Sequence, residues 1–215
     1  MICFANYPEI IFRYFLFDTC PQVVGFFDHF VRVFLSYSTN LRNSTKILFN
    51  KKKHNEPIFY NYLFLDASLL DDLLNGLNSS NVSWDLFERF KACCIYVGKG
   101  SGSRKFEHIA KAKKLFINDA FYYSYNAWRI NMLWKLGTGI CVIHFPIEVN
   151  HFEAHCREYA MIKSLGTFTL NNVIHGTAYG CMKLWNDYEI TNFGSMLVYY
   201  ALKICILDRP TLMNH

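Results

Sequence analysis

The stretch at residues 94–109, CIYVGKGSGSRKFEHI, constrains the fold more than any other part of this chain. Three strand formers, Ile95, Tyr96 and Val97, enter a loop with glycines at 98, 100 and 102, and the loop leaves into a cationic segment that opens on Ser103. Aromatic and β-branched side chains fit a pleated, half-buried surface, and glycines let backbone turn sharply and approach a ligand closely. Ser103 is a good helix N-cap, and the free N–H groups of a helix start attract anions. Arg104 and His108 stand four apart, so they share one helical face. An arginine is a permanent planar charge suited to phosphate, and a histidine moves a proton near neutral pH. Strand, glycine loop and cationic helix in that order build a site for phosphate chemistry.

Elements of both kinds lie on either side. Residues 58–65 read as a strand, 69–77 and 84–92 as short helices around a polar turn at 78–81, and 93–97 as a second strand. Residues 104–116 and 120–136 read as helices closed by Gly137 and Gly139, 140–145 as a third strand before Pro146, and 152–165 as a helix ending at Gly166. On that last helix Ala154, Glu158, Met161 and Leu165 recur at offsets of 4, 7 and 11, so Glu158 points the way of apolar neighbours. An inward carboxylate needs a partner, either an arginine in an internal ion pair or a metal ion. Ahead of these elements come aromatic-rich runs at 12–17 and 23–37, a basic stretch at 50–54 and Pro57, which read as an extension and a boundary. Three consecutive lysines there favour a solvated linker over a nuclear address.

These motifs resemble those of the GIY-YIG nucleases, in the eukaryotic branch typified by the animal endonuclease with ankyrin repeats and a LEM domain. IYVGKG at 95–100 resembles the second motif, with Tyr96 and Gly98 in the YIG positions, and Arg104 and His108 follow at the family's spacing. FEAHCREYAMIKSLG at 152–166 resembles the helix that carries the metal-binding glutamate, which maps to Glu158. LNN at 170–172 with HGTAYG at 175–180 resembles the closing segment and places its asparagine at Asn172. FYNYLFLD at 59–66 is similar to the opening strand, with Tyr62 at the tyrosine of GIY and Tyr60 where that name has glycine. The resemblance divides the chain into an N-terminal extension at 1–55, a nuclease-like domain at 56–184 and a C-terminal extension at 185–215. Between Tyr62 and Tyr96 lie 33 residues (96 − 62 − 1), where most of the superfamily has a short hairpin; this branch also has a long connection there. No repeat at the ankyrin period is found in the chain.

The resemblance implies an α/β fold with a small three-stranded, mainly antiparallel sheet flanked by helices. It implies metal-dependent endonucleolytic hydrolysis of phosphodiester bonds in DNA, with branched or bridged DNA as the substrate. In the roles it implies, Glu158 anchors one divalent cation, magnesium or manganese, and Arg104 clamps the phosphoryl oxygens. Tyr62 or Tyr96 accepts a proton, its pKa lowered by Lys99, and His108 orients water or relays the proton. Gly98, Lys99, Gly100, Lys105 and Asn172 contact the substrate or steady the site. Two other readings stand beside it: an inactive DNA-binding remnant, and a nucleotide-binding module built on GKGSGS. For the latter the loop has GxGxG instead of GxGxxG, lacks a GK[ST] ending, and is followed by no acid at a strand end about twenty residues on.

Composition sets the remaining bounds. A 215-residue chain that is 52% hydrophobic can bury one sizeable core. The net charge of +5 suits a polyanionic partner, and six basic residues within 99–114 meet only Glu107 as an acid. Eight cysteines without a CxxC pair suggest a reduced chain, hence an intracellular one, nuclear or cytoplasmic. His151 and His155 lie four apart beside Cys156, yet no second ligand pair follows at finger-like spacing, so zinc is not expected. No membrane insertion is expected either: Asp28, His29, Arg32 and Lys203 interrupt every run approaching the ~20 apolar residues a spanning helix needs.

Overall fold

The computed structural model describes residues 21–50, 57–76, 83–118, 125–166 and 170–214. The aromatic run at 12–17, the lysines at 51–53 and the polar turn at 78–81 lie outside the described residues. The organising strand is β1 (Tyr60–Asp66), whose seven residues are all buried. It pairs antiparallel with β2 (Cys94–Gly100) on one side and with β3 (Ile140–His144) on the other. A fourth strand, β4 (Thr211–Met213), pairs antiparallel with β3, so the sheet runs β2-β1-β3-β4. The expected sheet had three strands. The fourth is only three residues long, too short for alternation to reveal it, and it comes from the segment set apart in the sequence as a C-terminal extension.

Alternation along β1 sends Tyr60, Tyr62 and Phe64 to one face and Asn61, Leu63 and Leu65 to the other. The first face is covered by α4 (Arg104–Asn118) and α5 (Tyr125–Lys135), which contribute Ala112, Leu115, Ala127, Ile130 and Trp134 to one apolar cluster. The other face joins a larger core. It draws on α1 (Pro21–Asn50), α2 (Ala67–Asn75), α3 (Trp84–Cys93), α6 (His151–Leu165) and α7 (Asp187–Asp208). The insertion between the two tyrosines therefore does not part them: α2 and α3 fold beneath the sheet, with Leu70, Leu73, Leu86, Phe87 and Phe90 buried in that core.

Local chemistry fixes the helix starts. Asp66, the last residue of β1, accepts from the Ser68 and Leu69 amides and so turns the strand directly into α2. Ser83 caps α3, Asn150 caps α6, and Asn186 with Glu189 forms a capping box on α7. The helix α1 has no counterpart in the sequence reading, for a physical reason. Its buried stripe is Phe34, Ser38, Leu41 and Thr45, in which two polar residues alternate with two apolar ones. Thr45 satisfies its hydroxyl on the Leu41 carbonyl and accepts from the Asn150 side chain, so a polar position serves as a buried one.

By length and composition α7 is long and apolar enough to cross a membrane, which the sequence reading of residues 196–207 did not foresee. Within this fold 61% of its most apolar eighteen residues are buried, as befits a helix that is hydrophobic all round. It lies close against α6: a methyl group at Gly194 would run into the Ala160 carbonyl and lie 2.9 Å from the Ser164 side chain. Gly194→Ala should therefore destabilise the protein by about 1–3 kcal/mol through overpacking. Urea denaturation measures this, and an unchanged midpoint would mean that α6 and α7 separate freely.

Candidate active site

The register of β1 on β2 places Tyr62 opposite Gly98 and Phe64 opposite Tyr96. A Cβ at residue 98 would sit inside the Tyr62 ring, 2.6 Å from its hydroxyl. Gly100 plays the same part for Arg104, whose Cβ lies 2.8 Å from where a Cβ of residue 100 would be. Gly102 differs: its φ of +56° is left-handed, and open space surrounds it. Gly98 and Gly100 were read as places where a ligand approaches backbone. That space is filled by the protein's own tyrosine and arginine, so these glycines position two site residues. Tyr60 donates to the Gly102 carbonyl at 2.6 Å and ties the loop to β1.

The phenols and imidazole then converge. The Tyr62 and Tyr96 rings lie 6.0 Å apart, and the Tyr96 hydroxyl is 3.5 Å from His108 Nε2. Phe64 flanks both Tyr96 and His108 with its ring, keeping one side of the pair dry. Burial pushes the Tyr96 hydroxyl up to about 12, with a further rise from Glu158 that Arg104 opposes. Burial pushes Tyr62 up as well, assisted by the neighbouring Tyr96 phenol and by Glu158. A tyrosine with a depressed pKa was expected, with Lys99 as the cause. The opposite holds, because both rings are withdrawn from water and Lys99 is engaged elsewhere. His108 is lowered by burial and by the charges of Lys111 and Arg104, so its imidazole is neutral at neutral pH.

Glu158 reaches this group from α6. Its carboxylate is 3.9 Å from Lys99 Nζ, and its side chain is 14% exposed. Burial raises its pKa to about 7, against the lowering influence of Lys99 and Arg104. The internal arginine pair considered for Glu158 belongs instead to Glu153, which holds Arg157 at 2.7 Å, both fully buried, and faces Arg42 of α1 at 3.5 Å. Arg104 stands exposed at the start of α4, while Lys105 lies over the Tyr60 ring at 5.5 Å. Asn172 was read as a residue that contacts substrate or steadies the site by hydrogen bonds. Its amide oxygen accepts from the Val97 N–H at 3.0 Å and its NH2 donates to the Val97 carbonyl at 2.7 Å, so it continues the hydrogen-bonding edge of β2 beside Tyr96.

Two residues escaped the sequence reading. Asn61 is buried inside β1 and donates to the Ala154 carbonyl at 2.9 Å, coupling the tyrosine strand to the glutamate helix. Asn171 donates its backbone N–H to the Ile95 carbonyl and accepts from Arg129 at 3.4 Å. A polar residue within an otherwise apolar strand was the available signal for Asn61.

The LEM-3-like GIY-YIG domain is the family whose model matches residues 59–213. Over 149 residues the chain is 28% identical to mouse ankyrin repeat and LEM domain-containing protein 1, covering 69% of this chain and 28% of that protein. It is 30% identical over 152 residues to the Caenorhabditis elegans homolog, covering 68% of this chain and 20% of that protein. The human protein of the same name is 25% identical over 152 residues, covering 69% of this chain and 25% of its own length. The match thus spans between 20% and 28% of the length of these relatives. No solved structure matches.

The raised pKa of Glu158 has a measurable consequence. A folded value near 7 against an unfolded 4.5 means that protonated Glu158 contributes stability below about pH 4.5, and that this is lost as pH rises through about 7. Glu158→Gln should therefore match the parent protein near pH 4.5 and exceed its stability at pH 8 by up to about 3 kcal/mol. Denaturation at the two pH values tests this. Equal stability at pH 8 would place the carboxylate in water.

Proposed function

The chain belongs to the LEM-3-like GIY-YIG domain family, a nuclease-type domain, and on that premise we propose that it is a metal-dependent endonuclease hydrolysing phosphodiester bonds in DNA. The observation that carries the reading is the gathering of Tyr62, Tyr96, Arg104, His108 and Glu158, from two strands and two helices, around one edge of β2. Nothing local in the chain brings together residues up to 96 positions apart (158 − 62).

A divalent cation fits at Glu158. The carboxylate is withdrawn from water, its cationic neighbour lies as far as 3.9 Å, and its raised pKa marks a charge short of compensation. Among the described residues no three His, Cys, Asp or Glu side chains gather to hold a metal. Glu158 would thus be the one carboxylate holding an ion that keeps waters and phosphate oxygens as its other ligands, the habit of magnesium, with manganese as the alternative. When bound, the ion supplies charge neutralisation at the phosphate and a more acidic water.

The chain's own groups perform the rest. Arg104, exposed and seated on Gly100, holds the non-bridging oxygens as negative charge grows on them. Tyr96 accepts the proton of the attacking water while donating its own to neutral His108 across the 3.5 Å contact. This relay never requires a free phenolate, so the raised pKa of Tyr96 does not obstruct it. Tyr62 packs beneath and keeps the Tyr96 ring in place. Lys99 and Lys105 are proposed phosphate contacts beside the scissile position.

We infer DNA as the substrate, branched or bridged in form, and an intracellular setting, nuclear or cytoplasmic. The described cysteines are free thiols, which supports a reducing compartment. The nucleotide-module reading is disfavoured because the room beside Gly98 and Gly100 is taken by Tyr62 and Arg104.

Cleavage of plasmid and branched DNA with magnesium, manganese or chelator tests the reading, and binding without cleavage in every metal would leave an inactive DNA-binding domain. Arg104→Lys keeps the charge but loses the planar fork, so single-turnover cleavage should slow by about 10² or more with DNA affinity nearly intact. An unchanged rate would remove Arg104 from the chemistry. Separately, magnesium or manganese should raise the thermal midpoint of the parent protein at pH 8 and leave that of Glu158→Gln unmoved. A shift of the same size in both would place the ion elsewhere.

A further inference from the structure

Helix α5 turns an aromatic pair to solvent. Tyr125 and Trp128 are 53% and 45% exposed, and their rings stack with centroids 5.5 Å and planes 17° apart. A pair already held flat needs little further ordering to take a third ring on its free face. Its setting is cationic: α4, packed beside α5 in the same layer, exposes Lys111, Lys113 and Lys114. A stacking surface in a layer that also exposes ammonium groups matches unpaired nucleic acid, whose bases stack while its phosphates seek positive charge. Charge complementarity thus favours a polyanion over an apolar protein partner.

The pair is also wired to the site. Arg129, the residue after Trp128, donates to Asn171 at 3.4 Å. The Asn171 backbone N–H donates to the carbonyl of Ile95, the neighbour of Tyr96, at 2.8 Å, and Asn172 grips Val97 on the other side. These bonds tie α5 to the strand that bears Tyr96.

We propose that Tyr125 and Trp128 form a stacking platform for an unpaired base of the substrate, so that this face of α5 recognises a single-stranded arm next to the scissile phosphate. The proposal rests on the nuclease reading above. The test uses the full chain in chelator, where no cutting occurs. The probes are a blunt duplex and the same duplex with a single-stranded arm carrying 2-aminopurine near the junction. The arm should tighten binding by about 5- to 150-fold, which is about 1–3 kcal/mol for one stacked base. Tyr125→Ala with Trp128→Ala should erase that gain and the quenching of 2-aminopurine, leaving blunt-duplex affinity unchanged. Trp128→Phe should retain most of both.

Equal affinity for armed and blunt duplex, or equal loss on both in the double variant, overturns the platform alone. Failure of the parent protein to bind either duplex overturns the nuclease reading with it. A dimer in sedimentation velocity that the double variant dissociates, with arm binding unaltered, would assign this face to a second copy of the chain and overturn the proposal.

Discussion

The seat of the Tyr62 ring on Gly98 is the contact on which the rest of the site depends. Only an absent side chain leaves room for a phenol to lie across the neighbouring strand, and that phenol supports the Tyr96 ring, which in turn meets His108. Arg104 repeats the device one pleat further on over Gly100, and the left-handed Gly102 then turns the chain into α4. Two glycines within β2 and one in the turn after it thus answer three separate steric demands. A substitution at any of them would act on a different member of the site.

The same compactness has an electrostatic cost. Burial raises the pKa of Tyr62, Tyr96 and Glu158 and lowers that of His108, so these four groups are biased toward their neutral forms. Such a site is at its least comfortable when charged, and anything that brings compensating charge gains leverage in proportion. A cation beside Glu158 and a phosphate beside Arg104 would each relieve what the fold alone leaves strained. In the proposed mechanism stability and activity pull apart at Glu158, a pattern common where function has been placed in a buried cleft.

Much of this was legible in the sequence, in uneven measure. The strand, loop and helix around residue 98 were plain because each carried its own signature: β-branched residues, glycines, then cationic periodicity. Helix α6 was visible from its apolar stripe, and the direction of Glu158 with it. Three features were not. Helix α1 hides Ser38 and Thr45 among its buried positions, and α7 is apolar on every side, so neither shows the contrast that periodicity needs. The protonation of the tyrosines depended on how deeply two helices bury them, a tertiary quantity that no local pattern encodes. Asn172 was legible as a residue that steadies the site by hydrogen bonds, but its partner was not, because both bonds run to Val97, 75 positions away.

Helix α1 gives one more consequence. The family match begins at residue 59, yet Arg42 approaches the buried Glu153 carboxylate at 3.5 Å and Ser44 accepts the Cys181 N–H at 3.0 Å. The segment inherited with the family and the segment that completes the core therefore have different borders. Residues lying ahead of the shared region help neutralise a charge inside the helix that bears Glu158. Grafting residues 59–213 alone would therefore separate the helix that bears Glu158 from the contacts that Arg42 and Ser44 make with the rest of the core.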